Sequence, residues 1–246
     1  RLHSVAIVVI GRLIRLHRLW PLIIRMTSLL PLLIKYSSYT CGVPSPIVPA
    51  PQLIRELAHN GLVLRDDTRA DGNCGIHGFY LSLADFADRS QAMKNSNAWK
   101  NCTKLRRDTD KVIQHLRGAA VRWMKANGNR VVWDGMPFRV LACQMSHVEE
   151  SYEQHITRMS ADREWADASM IHALACHFRV DVAIWQESVD PTMVGFSMLS
   201  EGEAIGMVNL ALKNDHHFWG VVKADVTTQQ QGDKLTKIEN WVRLPS

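Results

Sequence analysis

Asp71-Gly72-Asn73-Cys74-Gly75-Ile76-His77-Gly78-Phe79 is the stretch that decides how the chain folds. A cysteine follows a tight polar loop and heads an apolar run from Phe79 to Ala84. Gly72 lets the backbone turn where a side chain would clash. Asp71 and Asn73 are turn formers able to cap the next helix. Cys74 is therefore expected in the first turn of a helix reaching about Phe86. Unpaired backbone N–H groups and the positive end of the helix dipole point at such a position. Both favour the thiolate, which is the nucleophile. The same N–H groups can stabilise an oxyanion forming on an attacked carbonyl. An ordinary buried cysteine would fit the pattern equally well, so the rest of the chain has to decide.

The length of 246 residues allows one sizeable domain plus an extension. An apolar share of 46% with 22% charged residues is that of a globular protein. Cys41, Cys74, Cys102, Cys143 and Cys176 are far apart and form no Cys-x-x-Cys pair. That spacing argues against a disulfide framework and for a reducing compartment, cytoplasmic or nuclear. The net charge of +5 is uneven: Arg1 to Arg55 holds seven Lys/Arg and no acid, leaving 22 basic against all 24 acidic residues beyond it. A near-neutral main body gives little footing to nucleic acid, whose binding rests on concentrated positive charge.

The chain opens on Arg1 rather than Met, as a fragment or a processed or trimmed chain would. Residues 1–50 are rich in Leu, Ile and Arg. Their longest apolar run, Leu29 to Ile34, is broken by Pro31, and the wider stretch from Leu19 carries Arg25. This falls short of the ~20 apolar residues of a spanning helix. The segment reads as a basic membrane-surface or targeting stretch, an extension packing on something else, or sequence with no selected role. Pro44, Pro46, Pro49 and Pro51 mark a stiff linker and a domain boundary.

Beyond it, a short helix is expected over Gln52 to Asn60, then an apolar segment at Leu62 to Leu64. The polar stretch Ala87 to Cys102 reads as loop. Thr109 to Asn127 reads as a helix from the spacing of Val112, Ile113, Leu116, Ala120 and Met124. Val131 to Trp133 reads as extended, and Met145 to Arg158 as one polar helix. Asp167 is expected to cap a helix carrying Met170, Ile171, Leu174 and Phe178. Strands are expected at Val180 to Trp185, Gly206 to Leu212 and His216 to Val222. The tail from Thr227 on is polar. Trp123, Trp133, Trp165, Trp185 and Trp219 are read as core. Helices first and strands late predict an α+β domain, the cysteine helix packed on a largely antiparallel sheet.

A cysteine nucleophile needs a base near in space rather than in sequence. The last strand offers His216 and His217, which point to opposite faces, and periodicity does not choose between them. His77, one turn along from Cys74, is a rival, though a helix neighbour reaches the sulfur awkwardly. Cys74-x-x-His77 and the His172/Cys176 pair are half-sites of zinc-like spacing, but they lie about a hundred residues apart in sequence and lack the tight local pairs of structural zinc.

Taken in order, Asp71-Gly72-Asn73-Cys74, Trp165 opening a helix, the β-branched strand from Val180 and His217-Phe218-x-x-Val221 resemble the ovarian-tumour (OTU) family of cysteine proteases. The resemblance covers roughly Pro51 to Asp225. It divides the chain into an extension (1–50), a protease domain (51–226) and a tail (227–246). It implies a papain-like α+β fold, a small, mostly antiparallel sheet flanked by helices. It implies Cys74 as nucleophile, His217 as general base and Asp71 as the loop aspartate shaping an oxyanion hole built from Gly72, Asn73 and Cys74. The implied substrate is ubiquitin or a ubiquitin-like tail. The implied reaction is deubiquitination, hydrolysis of an isopeptide bond through a thioester with no metal or other cofactor. Two positions depart from the pattern. Trp219 stands where many members carry an Asn or Asp that orients the histidine, leaving that role to Asp71, Asn214, Asp215 or a carbonyl. Gly75-Ile76 stands where large apolar residues are commoner. Two alternatives follow: an inactive ubiquitin-binding module, and a protease that processes its own polyprotein.

Overall fold

The computed structural model describes residues 51–65, 68, 71–133, 135–146, 148–187, 194–199, 204–213 and 217–224. The extension, the tail, Asn214, Asp215 and His216 lie outside them.

Within these residues the chain is α+β. Helix α1 (Pro51–His59) leads into β1 (Leu62–Arg65). Then come α2 (Cys74–Arg89), α3 (Gln91–Asn95), α4 (Asn97–Thr103) and α5 (Thr109–Asn127). A small ribbon, β2 (Val131–Trp133) with β3 (Met136–Pro137), precedes α6 (Phe138–Met145), α7 (Tyr152–Met159) and α8 (Ala168–Phe178). The chain then forms β4 (Asp181–Glu187), β5 (Val194–Leu199), β6 (Met207–Lys213) and β7 (His217–Lys223). The main sheet runs β1-β7-β6-β4-β5. All its pairings are antiparallel except β4 with β6.

Alternation on β7 sorts the two faces. Phe218 joins the main core with Cys74, Ile76, Phe79 and Leu83 of α2, together with the apolar faces of α5 and α8. Trp219 and Val221 join a second cluster with Leu53 and Leu57 of α1. The sheet is thus covered on both sides, α2 on one and α1 on the other. Helix α2 lies unusually close to β7 because two glycines meet at the crossing. A Cβ on Gly78 would stand 3.0 Å from the Gly220 nitrogen, and one on Gly220 2.8 Å from Leu81 Cβ. One turn further on, the Ser82 hydroxyl donates to the Asn209 carbonyl (2.6 Å) and accepts from the Val221 N–H (2.9 Å). The serine hydroxyl thereby bridges helix and sheet where a side-chain-to-side-chain contact would not fit.

Several expectations need correction. Residues 87–102 are not loop: Ser90 and Ser96 each accept a backbone N–H three residues on and start α3 and α4, and Met93 and Cys102 are buried. The single helix expected over 145–158 is two. Ser146 turns its hydroxyl to Val148 and Glu150, and Ser151 restarts the chain with a reciprocal cap to Gln154. Helix α6 and strand β5 went unread in the sequence. Trp165 is not core; it is 40% exposed. Among the described residues no helix is long and apolar enough to cross a membrane.

Candidate active site

Cys74 is the first residue of α2 and is 1% exposed. The loop before it closes on itself through Asp71, whose carboxylate Oδ1 accepts the Asn73 N–H (3.0 Å) and whose carbonyl accepts the Cys74 N–H (3.0 Å). Asn73 is the helix cap by position, but its side chain does not cap. Its Oδ1 accepts from Arg117 Nη2 (2.7 Å) and its Nδ2 donates to Asp162 (3.1 Å). The glycine before it is required by proximity rather than by dihedral angle. A Cβ on Gly72 would lie 1.5 Å from the Arg163 carbonyl oxygen, inside the segment that runs on to Trp165. Gly75 meets the same segment, since its Cβ would fall 2.9 Å from Ala166 Cβ and 3.2 Å from Phe218.

Opposing influences act on the Cys74 thiol. Burial is the largest and pushes its pKa up to about 11, and the Asp71 charge adds to that rise. The backbone N–H groups of Phe218 and Gly75, and less so that of Cys74 itself, favour the charged sulfur and pull the other way. The helix start therefore acts in the expected direction, but desolvation wins. Burial thus opposes the thiolate that the helix start favours.

His217 opens β7 and is 3% exposed. It immediately precedes Phe218, the residue whose amide reaches the sulfur. Among the described residues β1 pairs with β7 as far as Gly220, and the Cys74 end of α2 packs on Phe218, two residues nearer the start of β7. Two segments 143 positions apart are in this way brought together. Trp219, two residues on, meets the His217 ring edge to face, with centroids 4.9 Å apart at 81°. The position that could hold an orienting carboxylate holds an aromatic ring, which fixes the imidazole by packing. Asp71 keeps its Oδ1 within its own loop.

His77 is buried on α2. His172 stacks on Phe138, centroids 5.6 Å apart, on the far helical layer. Among the described residues no group of three or more His, Cys, Asp or Glu is placed to hold a metal ion.

The residue that sequence reading missed is Arg117, 1% exposed on α5. It sits on the stripe of Ile113, Leu116, Ala120 and Met124, and a basic residue on an otherwise apolar face was the available signal. Nη1 donates to the Met159 carbonyl (2.8 Å), and Nη2 to Asn73 Oδ1 and the Glu164 carbonyl (2.6 Å). Nη2 also lies 3.4 Å from the Gly72 carbonyl. Burial lowers the arginine pKa, opposed by the charges of Asp162, Glu164 and Asp71.

No family model matches the chain, and no curated protein matches it. Solved structures do. The OTU domain of OTUD1 is 14% identical with a TM-score of 0.47, over 70% of this chain and 93% of that one. The viral OTU domain protease from Taggert virus is 12% identical with a TM-score of 0.44, over 67% and 81%. An OTU deubiquitinase from Wolbachia pipientis wMel, solved bound to ubiquitin, is 13% identical with a TM-score of 0.41, over 67% and 98%. In architecture, then, the chain is similar to OTU domains.

Proposed function

We propose that the chain is a cysteine hydrolase acting on the C-terminal tail of ubiquitin or a ubiquitin-like protein. The observation that carries the chemistry is the buried thiol at the start of α2, packed in one cluster with Phe218, the residue directly after His217. The motif set read from the sequence names the substrate.

A buried neutral thiol calls for a general base rather than a preformed ion pair. His217 takes the Cys74 proton as the sulfur attacks the carbonyl carbon of the isopeptide bond. The oxyanion forms at the 72–74 loop, where a carbonyl oxygen displaces Asp71 Oδ1 from the Asn73 N–H. The tetrahedral intermediate collapses, the C–N bond breaks, and imidazolium returns the proton to the departing lysine amine. Water then attacks the thioester with His217 as base, releasing a carboxylate and restoring the thiol. Trp219 packs edge to face against the ring and holds the plane of the imidazole. Such a thiol enzyme works where cysteines stay reduced, in the cytosol or nucleus.

Hydrolysis of ubiquitin carrying a fluorogenic C-terminal amide tests the reading. Turnover is expected from the full chain, none from Cys74→Ala, and a loss of about 10²- to 10⁴-fold from His217→Ala. Unchanged ubiquitin binding without turnover would instead establish the binding-module reading, which Trp219 and the raised thiol pKa favour. Cleavage of the chain's own precursor alone would establish the self-processing one.

A further inference from the structure

Among the described residues the buried Arg117 bonds no carboxylate. Its partners are the carbonyls of Met159 and Glu164, the side-chain oxygen of Asn73 and, more distantly, the Gly72 carbonyl. Two of these belong to the loop that leads into Cys74, and two to the segment that presses on Gly72 and Gly75. A buried guanidinium is costly to desolvate, and a core methionine or leucine at 117 would serve packing alone. What the cation adds is a fixed fork spanning two loops.

The fork has a directional consequence. In a trans peptide the C=O and the following N–H point opposite ways. Holding the Gly72 carbonyl toward Arg117 turns the Asn73 N–H outward, to where Asp71 Oδ1 now sits. The Asn73 side chain is drawn inward to Arg117 and Asp162, with Gln114 also donating to Asp162. It therefore cannot swing round to cap α2 and take up the N–H groups beside the sulfur.

We infer that Arg117 is the positioning residue of the oxyanion loop, clamping residues 72–73 to the 159–164 segment so that their N–H groups face the attacked carbonyl. The inference rests on the reading of Cys74 as nucleophile. It assigns α5, which touches no substrate, a share in transition-state stabilisation.

Two reactions of the same sulfur separate this role from a merely structural one. Attack on a carbonyl builds an oxyanion. Alkylation by iodoacetamide does not: the S–C bond forms as the C–I bond breaks, iodide leaves and the thiol proton goes to the base. Arg117→Lys keeps the charge but presents a point donor that cannot span both loops. In full-length protein, kcat on the ubiquitin C-terminal amide is expected to fall about 100-fold, with KM little changed. Alkylation of Cys74, followed by the mass of its peptide, is expected to keep its wild-type rate. Should the lysine variant not fold, Asn73→Ala removes the loop end of the clamp and leaves the guanidinium on its carbonyls. The same split is expected there. Wild-type kcat in a folded Arg117→Lys variant overturns the inference, as does a parallel loss of alkylation and hydrolysis. Absence of turnover in the wild type overturns the reading of Cys74 instead, and this inference with it.

Discussion

Cys74 is the residue at which burial and local amides compete, and its ionisation can be followed directly. With burial holding the thiol up to about 11, the thiolate fraction grows about tenfold per pH unit below that value. The rate of Cys74 alkylation is expected to climb steadily from pH 7 to pH 9. A plateau beginning near pH 6 would reveal a resting thiolate–imidazolium pair and contradict it. Gly72 makes a second prediction. Its Cβ would fall 1.5 Å from a backbone oxygen, so Gly72→Ala must displace the 162–164 segment or the loop. Hydrolysis should drop by about 100-fold, the scale of a misplaced reacting group, while the unfolded fraction stays small. Periodicity left His217 level with His216 and the motif set alone singled it out, whereas the turn at Gly72 and the helix start at Cys74 were legible because each rests on a residue type whose chemistry or shape is local. Arg117 was not, since what makes it matter is the arrival of two loops distant in sequence. The upward push on the thiol's pKa was hidden for the same reason: burial is a property of the fold, whereas a helix start can be read from a few residues.

Between elements, two polar links stand out. Ser82 joins α2 to β6 and β7. Ser82→Ala leaves the buried Val221 N–H without that acceptor and should cost about 1–3 kcal/mol by denaturant titration. A cost near zero would mean that the bridge is not used. The second link ties the α6–α7 turn to α7 and onward to the loop beside the site. Glu150 receives Arg158 (2.6 Å), Ser146 (2.6 Å) and His155 (2.8 Å), and Arg158 also holds Glu164. These bonds, Arg158 first, hold the Glu150 carboxyl down to about 2 from an ordinary 4.5. A depressed carboxyl stabilises the fold above its ordinary value, and the stability is lost as pH falls through the folded one. Glu150→Gln should therefore lower the melting temperature at neutral pH. It should also weaken the acid-induced fall between about pH 4.5 and 2; an unaltered acid limb would contradict this. Helix α5 was readable because its apolar stripe recurs over 19 residues. The helix starts at Ser90 and Ser96 and the break at Ser146–Ser151 were missed because a serine that caps, one in a loop and one on a solvated helix face look alike until the chain turns.

For the molecule as a whole, the order of elements foretold an α+β body. It did not foretell that β1, encoded before the cysteine, would sit beside the last strand. Nor did it foretell the parallel β4–β6 pair inside a mostly antiparallel sheet. Both join segments distant in sequence, which is a matter of assembly rather than of local pattern. The consequence for function is that the thiol and imidazole segments converge at one end of a sheet whose two faces are already filled. Ubiquitin bearing an electrophile in place of its C-terminal carboxylate reports that convergence most directly. One adduct of ubiquitin mass is expected on the full chain, mapped to Cys74, absent from Cys74→Ala and strongly reduced in His217→Ala. No adduct, or one carried by Cys102, Cys143 or Cys176, would contradict it.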